Sequence, residues 1–475
     1  MRAGPLFVLG LSLIVAGCSG GGDPATPGTP LFGSGDGSTL PPGWTSERVS
    51  NLRDTSIGVA IPAVALTSQN VGFVAWTERA VGCVKTWVNR NAAGTWGTPT
   101  EIGVEQAFFS LNVAANASGN AVLVWMETAA SPGSCGGTIL TPGIYASRYI
   151  AASNTWTAPV RIATNPSDSA VVVIDAAGRA TAVWVQGPAT LIPTLSWSRF
   201  DGTSWSAPRA LTDGTRGVGG PVIAQDGSGN ILALWVQMTN LPDGSPGGGP
   251  ILDNIWFARF TAASGTWSAP VKIGSPDLAG SDQASSPRIA VNASGNAVAV
   301  WNETRSSVGS IVSARFSSGA WTSPVPIETN TTQADRPEVA IDLNGNAQAV
   351  WTQKIDAAQA NDSGYTARFN ATTGTWGTPQ LFEQSTEAVF APLVGMDDTG
   401  RALIAWQQTN AGTGPIHAVH FTPASGFGTP VHLAGDSVTL AVNGGGTALL
   451  ASNVSSIEPA PLFFGESIRA AMFRP

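Results

Sequence analysis

An all-β fold built from repeated four-stranded sheets is predicted by three features of this 475-residue sequence. Charged residues make up only 11% of the chain, glycine is abundant (56 residues), and the short apolar stretches are rich in Val, Thr, Trp and Phe, as is typical of strands joined by turns. A unit of about fifty residues recurs along the chain. The two ends of the chain carry incomplete and complementary units.

Each complete unit contains four short apolar runs. The first run ends in Asp or Asn before a Gly-containing turn in most units, and the second closes on Trp-x-Glu/Gln in every complete unit. The third carries Arg-Phe or Arg-Tyr in five units, and the fourth begins with Trp in all complete units but the last, which has Phe427. Runs of this length, punctuated by Asn, Asp and Gly, predict antiparallel strands. A four-stranded unit of this period predicts the blade of a β-propeller.

The fourth strands predict eight blades and a closed ring. Their aromatic residues are Trp44, Trp96, Trp156, Trp205, Trp267, Trp321, Trp376 and Phe427. Trp44 has no strands before it, whereas the last three runs (437–442, 446–452 and 467–473) have no fourth strand after them. We therefore expect the N-terminal strand to complete the eighth blade, which removes unpaired sheet edges.

The N-terminal segment predicts a cleaved signal, because its apolar run from Leu6 to Ala16 is too short to span a bilayer. The segment 15–18 (VAGC) resembles the lipobox of bacterial lipoproteins. The resemblance implies a signal peptide over 1–17, lipidation of Cys18 and anchorage at the cell envelope, with Ser19 favouring the outer membrane. A Gly/Pro-rich tether over 18–42 would then precede a propeller domain over 43–475.

The net charge of −8 limits the classes of partner. An acidic chain without a basic stripe is a poor candidate for binding nucleic acid, or an anionic membrane through its protein surface. We expect a monomer that contacts the membrane through its lipid alone and recognises an envelope protein or a glycan.

Candidate ligand-binding residues lie on the face where the second strands end. The Trp and the Glu or Gln of each motif point to the same side of the sheet. Such a buried side chain could hydrogen-bond the neighbouring backbone, or it could belong to a ring of amides and carboxylates that binds a ligand. The blade connections also carry acids, which are either ordinary solvated loop residues or an acidic mouth that attracts cations or a basic partner. The candidates are Glu78, Glu127, Glu303, Asp168, Asp213, Asp282, Asp335 and Glu387.

Two long loops, 128–143 and 238–253, leave the same face. Long loops on a rigid scaffold often carry recognition, although neutral insertions are the alternative. Cys83 and Cys135 lie in the corresponding loops of adjacent blades, and an oxidising compartment would allow them to form a disulfide.

Two sets of repeated or clustered residues have structural explanations. The third-strand arginines recur near the fourth-strand Trp, which suggests guanidinium–aromatic stacking. They are Arg148, Arg199, Arg259, Arg315 and Arg368. His417, His420 and His432 all fall in the seventh blade, but the first two point to opposite faces of one strand, so no metal site is expected.

Two propeller families share short segments with this chain. The hairpin at 198–205 (SRFDGTSW) resembles the Asp-box of sialidase-type propellers, which implies glycan hydrolysis. The segment 258–267 (ARFTAASGTW) is similar to the blade repeat of eight-bladed quinoprotein dehydrogenases but lacks its Asp, and we expect no cofactor.

These observations favour a non-enzymatic binding or scaffolding propeller, because no nonrepeated cluster of nucleophile, base and acid is present in the sequence. A carbohydrate-active enzyme of the envelope, using a pair of carboxylates, is the alternative.

Overall fold

The computed structural model describes residues 40–50, 58–59, 62–80, 83–104, 109–127, 141–164, 166–187, 192–238, 253–276, 282–329, 332–356, 361–409, 414–458 and 463–475. Every regular element in these ranges is a β-strand. None of the described segments forms an apolar helix of membrane-spanning length.

The strands form eight antiparallel sheets, which we number as blades 1 to 8 in the order of their first strands. The first strands are Ala63–Leu66, Phe109–Ala115, Pro166–Ile174, Val218–Gln225, Gln283–Val291, Ala334–Ile341, Ala388–Met396 and Ser437–Val442. The second strands are Gly72–Ala80, Ala121–Glu127, Ala180–Gln186, Ile231–Met238, Ala297–Arg305, Ala347–Gln353, Ala402–Thr409 and Ala448–Glu458. The third strands are Cys83–Ala92, Gly143–Ile150, Thr194–Phe200, Asp253–Thr261, Val308–Ser317, Ser363–Asn370, Ile416–Thr422 and Phe463–Phe473.

The fourth strand of most blades is divided into two short pieces that both pair with the third strand. A proline such as Pro270 lies between the pieces, where its missing N–H breaks the ladder. The pieces are Thr95–Trp96 and Thr100–Val104, Thr155–Trp156 and Val160–Ala163, Arg209–Ala210, Thr266–Trp267 and Val271–Lys272, Ala320–Trp321 and Val325–Pro326, Thr375–Trp376 and Gln380–Leu381, and Gly426–Phe427 and Val431–Leu433. In blade 3 a single bridge at Trp205 replaces the first piece, and Gly58–Val59 adds a short piece to blade 1.

The two ends of the chain close the ring as predicted. Trp44–Arg48 pairs with Phe463–Phe473 as the fourth strand of blade 8, with Trp44 opposite Phe473. Each first strand contacts the first strand of the next blade, and Ser437–Val442 contacts Ala63–Leu66. The first strands therefore surround a central channel, and the eight-bladed fold is confirmed.

The antiparallel order gives the disc two different faces. The turn face carries the turns between first and second strands, such as 292–296, and the hairpins between third and fourth strands, such as 261–266. The loop face carries the loops between second and third strands and the connections between blades. Each first strand thus runs from the loop face to the turn face.

The core lies between blades rather than inside one of them. One apolar cluster joins Trp301 of blade 5 to Leu232 and Leu234 of blade 4. The second-strand tryptophans are almost fully buried, namely Trp76, Trp125, Trp184, Trp235, Trp301, Trp351 and Trp406. Removal of this apolar area from water is the main force that holds neighbouring blades together.

The third-strand arginines do stack on aromatic rings, but the predicted partner is wrong. Each guanidinium carbon lies over the third-strand Phe of the next blade rather than over its own fourth-strand Trp. The distances to the ring centroids are 3.7 Å for Arg148–Phe200, 4.8 Å for Arg199–Phe260, 5.9 Å for Arg259–Phe316, 4.6 Å for Arg315–Phe369 and 5.4 Å for Arg368–Phe421. The Arg and an aromatic residue are adjacent in each of these third strands, and adjacent residues of a strand point to opposite faces of the sheet. The aromatic residue therefore contacts the fourth-strand Trp of its own blade, while the Arg contacts the Phe of the next blade.

Candidate functional site

The Trp-x-Glu/Gln motif forms a hydrogen bond within its own strand in six blades. The indole Nε1 of the Trp donates to Oε1 of the Glu or Gln two residues later. The donor–acceptor distances are 2.6 Å for Trp125–Glu127, 2.9 Å for Trp184–Gln186, 2.8 Å for Trp235–Gln237, 2.9 Å for Trp301–Glu303, 2.9 Å for Trp351–Gln353 and 3.1 Å for Trp406–Gln408. In blade 1, Glu78 is buried, and Trp76 Nε1 finds no acceptor among the described residues.

Several of these side chains also hold the connection that enters their blade. Gln186 Nε2 donates to the carbonyl oxygen of Thr164 at 2.6 Å, and Gln353 Nε2 donates to that of Thr332 at 3.2 Å. Glu303 accepts from the backbone N–H of Ser275 at 3.2 Å. These Glu and Gln side chains therefore hydrogen-bond the backbone of the connections between blades, which is the structural role that the motif suggested.

Two of the candidate acids accept hydrogen bonds from the backbone of loop-face segments. Asp213 is exposed and accepts from the backbone N–H (3.0 Å) and hydroxyl (2.8 Å) of Thr215, and these hydrogen bonds lower the pKa of Asp213. Asp282 accepts from the backbone N–H of Ser306 at 3.1 Å. Both carboxylates thereby stabilise loop-face backbone.

The other candidates lie at or near the loop-face ends of first strands. Asp335 Oδ1 accepts from the N–H of Arg336 at 2.7 Å. The N–H of Glu387 donates to Ser385 Oγ at 3.1 Å. Asp168 pairs through its backbone with the second strand of blade 3, and its side chain is outside the described part of the structure.

Several predictions lie on residues that the structure does not describe. These include Cys18, Cys135 and nearly all of the loops 128–143 and 238–253. Cys83 begins the third strand of blade 1, but its side chain is outside the described set. Lipidation and the disulfide therefore stay predictions.

A repeated backbone kink at the loop-face end of the first strands escaped the sequence analysis. In blades 4 to 7 the ladder shifts register at a residue with positive φ that precedes a proline. The kinked residues are Gly220 (57°), Ser286 (53°), Arg336 (57°) and Ala391 (43°). For a residue other than glycine this conformation costs about 1–3 kcal/mol, so it persists because the surrounding structure imposes it. The feature of the sequence that could have indicated these kinks is the proline that recurs near the start of each of these first strands.

The kinks of blades 6 and 7 create a small polar and aromatic surface at the channel entrance. We define the rim patch as Asp335, Arg336, Phe390 and Ala391. Arg336 is exposed, and its guanidinium carbon lies 5.4 Å from the ring centroid of Phe390, which is only half-buried. A carboxylate, a guanidinium and an accessible ring therefore adjoin one another where the channel opens.

An ion pair crosses the channel wall beside the rim patch. Arg288 of blade 5 donates from Nε to Glu338 Oε1 of blade 6 at 2.5 Å, and this carboxylate raises the pKa of Arg288. Each residue directly follows the proline of its kink. The kinked strands thus place complementary charges between neighbouring blades.

The turn face carries a separate open cavity of ≈ 570 Å³ between blades 6 and 7. Its lining is polar and comprises Asp342, Asn344, Asn346, Arg368, Asn370, Thr373, Thr375, Gly377, Thr399 and Pro423. Many of these groups bond to one another: Asp342 accepts from Asn346 Nδ2 at 2.8 Å, and Asn370 accepts from two nearby N–H groups. This leaves fewer free donors and acceptors for a ligand than the lining suggests.

The hairpin that resembles an Asp-box has a local structural role. Asp201 is exposed, accepts from the N–H groups of Thr203 (2.7 Å) and Ser204 (2.9 Å), and these hydrogen bonds lower its pKa. In the described part of the chain, no three or more His, Cys, Asp or Glu residues are grouped so as to hold a metal ion.

No protein-family model and no curated protein matches the sequence. A polysaccharide lyase of family PL25, an ulvan lyase, has 11% identity and a TM-score of 0.49 over 76% of this chain and 93% of the lyase. The Penicillium chrysogenum α-L-arabinanase has 10% identity and a TM-score of 0.42 over 84% and 100% of the chains. The six-bladed fucose-binding lectin of Aleuria aurantia has 12% identity and a TM-score of 0.38 over 80% and 97%.

Proposed function

We propose that this chain is a glycan-binding propeller that its lipid anchor at Cys18 holds at the bacterial cell envelope. The observation that carries the proposal is the rim patch, where the strained backbone of Arg336 holds a guanidinium over the half-buried ring of Phe390. A fold retains such strain most readily where the conformation serves binding.

The chemistry of the rim patch suits a sugar. The ring of Phe390 offers a flat apolar surface to the C–H groups of a pyranose, while Arg336 donates to hydroxyl oxygens and Asp335 accepts from hydroxyl groups. The two charges balance, which favours neutral sugar hydroxyls over a polyanion. Because the backbone is already fixed, little conformational entropy is lost on binding.

A glycan array followed by calorimetry on the bound glycans tests this function. We expect Phe390→Ala and Arg336→Gly to lower affinity by at least about tenfold; Gly tolerates the positive φ, so this variant removes the side chain without adding strain. The matched control is Asn344→Ala in the turn-face cavity, which should leave affinity within about twofold.

Two results would overturn the proposal. Loss of binding in Asn344→Ala with normal binding in Phe390→Ala would move the site to the turn face. Failure of the intact protein to bind any glycan would favour a protein partner captured by a scaffolding propeller.

A carbohydrate-active enzyme is the second candidate, and Asp253 favours it. Asp253 is the first residue of the third strand of blade 4 and lies on the loop face. Burial raises the pKa of its carboxyl group. No hydrogen bond or ion pair to that carboxyl group forms within the described residues. A desolvated carboxyl group of this kind suits a general acid.

Turnover separates the two candidates. Glycans retained by the protein are incubated with it, and new reducing ends or unsaturated products are measured. Product formed by the intact protein and lost in Asp253→Asn would establish the enzyme, whereas binding without product would support the glycan-binding proposal.

A further inference from the structure

Two histidines of blade 7 face each other across adjacent strands. His417 of the third strand and His432 of the fourth are direct partners in the ladder. Directly paired residues of antiparallel strands project from the same side of the sheet. Their ring centroids are 4.3 Å apart, with an angle of 54° between the ring planes.

The core fixes the position of the first ring. The imidazole of His417 stacks on the buried indole of Trp406, with 5.4 Å between centroids and 20° between planes. Trp406 is in turn fixed by its hydrogen bond to Gln408. The corresponding third-strand position in blades 2 and 6 holds Tyr145 and Tyr365, which stack on their own tryptophans. Blade 7 therefore has an imidazole where those blades have a phenol ring.

We propose that His417 and His432 form a two-histidine site for a divalent transition-metal ion, with water completing the coordination. Metal–nitrogen bonds of about 2.0–2.1 Å at angles of 90–109° require ring centroids roughly 4.5–5.2 Å apart. The observed separation of 4.3 Å is about 0.2 Å below this range, so a small side-chain rotation of one imidazole is enough to reach it. Imidazole ligands favour Cu²⁺ over Ni²⁺, and Cu²⁺ over Zn²⁺.

The site is tested by titrating the full chain with CuCl₂ and with NiCl₂ at neutral pH in a calorimeter. We expect one Cu²⁺ per chain, bound more tightly than Ni²⁺, and an increase in melting temperature with added metal. His417→Tyr and His432→Gln should each weaken Cu²⁺ binding by at least about tenfold. The tyrosine keeps the stacking seen in blades 2 and 6, so loss of metal is not confused with loss of the fold.

His420 supplies the matched control. It lies on the same strand as His417 but packs against Phe473, with ring centroids 4.0 Å apart, and His420→Gln should retain Cu²⁺ binding. Unchanged binding in both His417→Tyr and His432→Gln, or an equal loss in His420→Gln, would overturn the proposal.

Discussion

At the scale of single residues, the second-strand motif joins the core to the chain that enters each blade. Gln353 is 1% exposed, accepts from the indole of Trp351 and donates to the carbonyl oxygen of Thr332. Its side chain therefore satisfies a buried indole and a connection at the same time. Because unsatisfied buried polar groups are costly, this role explains why the motif recurs without requiring a ligand.

Replacement of Gln353 should reveal this structural role. We expect Gln353→Leu to lower the free energy of unfolding by about 1–3 kcal/mol, because the indole N–H of Trp351 and the carbonyl oxygen of Thr332 each lose a partner. Urea denaturation measures the change. The control is Gln384→Leu at an exposed position, and an equal effect of the two substitutions would contradict the assignment.

The buried imidazole of His417 predicts a pH dependence of stability. Its pKa in the folded protein is about 4, below the ordinary value of 6.5, so between these pH values the unfolded chain binds a proton that the folded chain does not. The free energy of unfolding should therefore fall as the pH drops from 6.5 towards 4. His417→Tyr should flatten this slope when stability is measured with EDTA present; an unchanged slope would assign the dependence to other groups.

At the scale of strands and blades, the arginines link each third strand to the next. Arg148, whose pKa is lowered by burial, lies 3.7 Å from the ring centroid of Phe200. Because the same contact recurs at successive interfaces, the arginines form a series of cation–aromatic contacts between neighbouring blades. The regularity of these residues is thus explained by packing.

A double-mutant cycle tests the contact. We expect the coupling energy between Arg148→Met and Phe200→Leu to be about 0.5–1 kcal/mol, since the partly buried guanidinium lies directly over the ring. The cycle between Arg148→Met and Phe260→Leu, which belong to different contacts, should give a coupling near zero. Similar coupling in both cycles would show a general effect on packing.

At the scale of the whole molecule, we expect stability to depend on the closure of the ring, which involves blade 8 and its contact with blade 1. Trp44 is 8% exposed and belongs to the apolar cluster that joins blades 7 and 8. Asn443 of blade 8 donates from Nδ2 to the carbonyl oxygen of Thr67 in blade 1 at 2.9 Å. The ring is thus closed by an N-terminal strand and by a side-chain contact between its first and last turns.

Truncation tests the importance of closure. A chain beginning at residue 40 should melt at the same temperature as one beginning at residue 19, whereas a chain beginning at residue 50 should lose its cooperative transition and aggregate through the exposed edge of Phe463–Phe473. Trp44→Ala in the longer chain should cost about 3–5 kcal/mol. Calorimetry and light scattering measure these changes, and normal melting of the shortest chain would show that closure is dispensable.

The sequence predicted the architecture more fully than the candidate site. The repeat showed the four strands, the eight blades and the role of Trp44, because turn residues and alternating apolar residues act locally. The rim patch was not predicted, because Arg336 and Phe390 are far apart in sequence and meet only when a kink in one blade faces the next. Of its four residues, Asp335 alone was among the sequence candidates.

The sequence by itself determined the number of blades and the way in which the ring closes, because each blade repeats the same local signals and one strand is missing at one end and present at the other. Only the tertiary structure decided which blade each arginine contacts, which residues adopt the strained conformation and which histidines meet. These outcomes depend on strand register and on the packing of one blade against the next, and a single repeat contains no information about its neighbour.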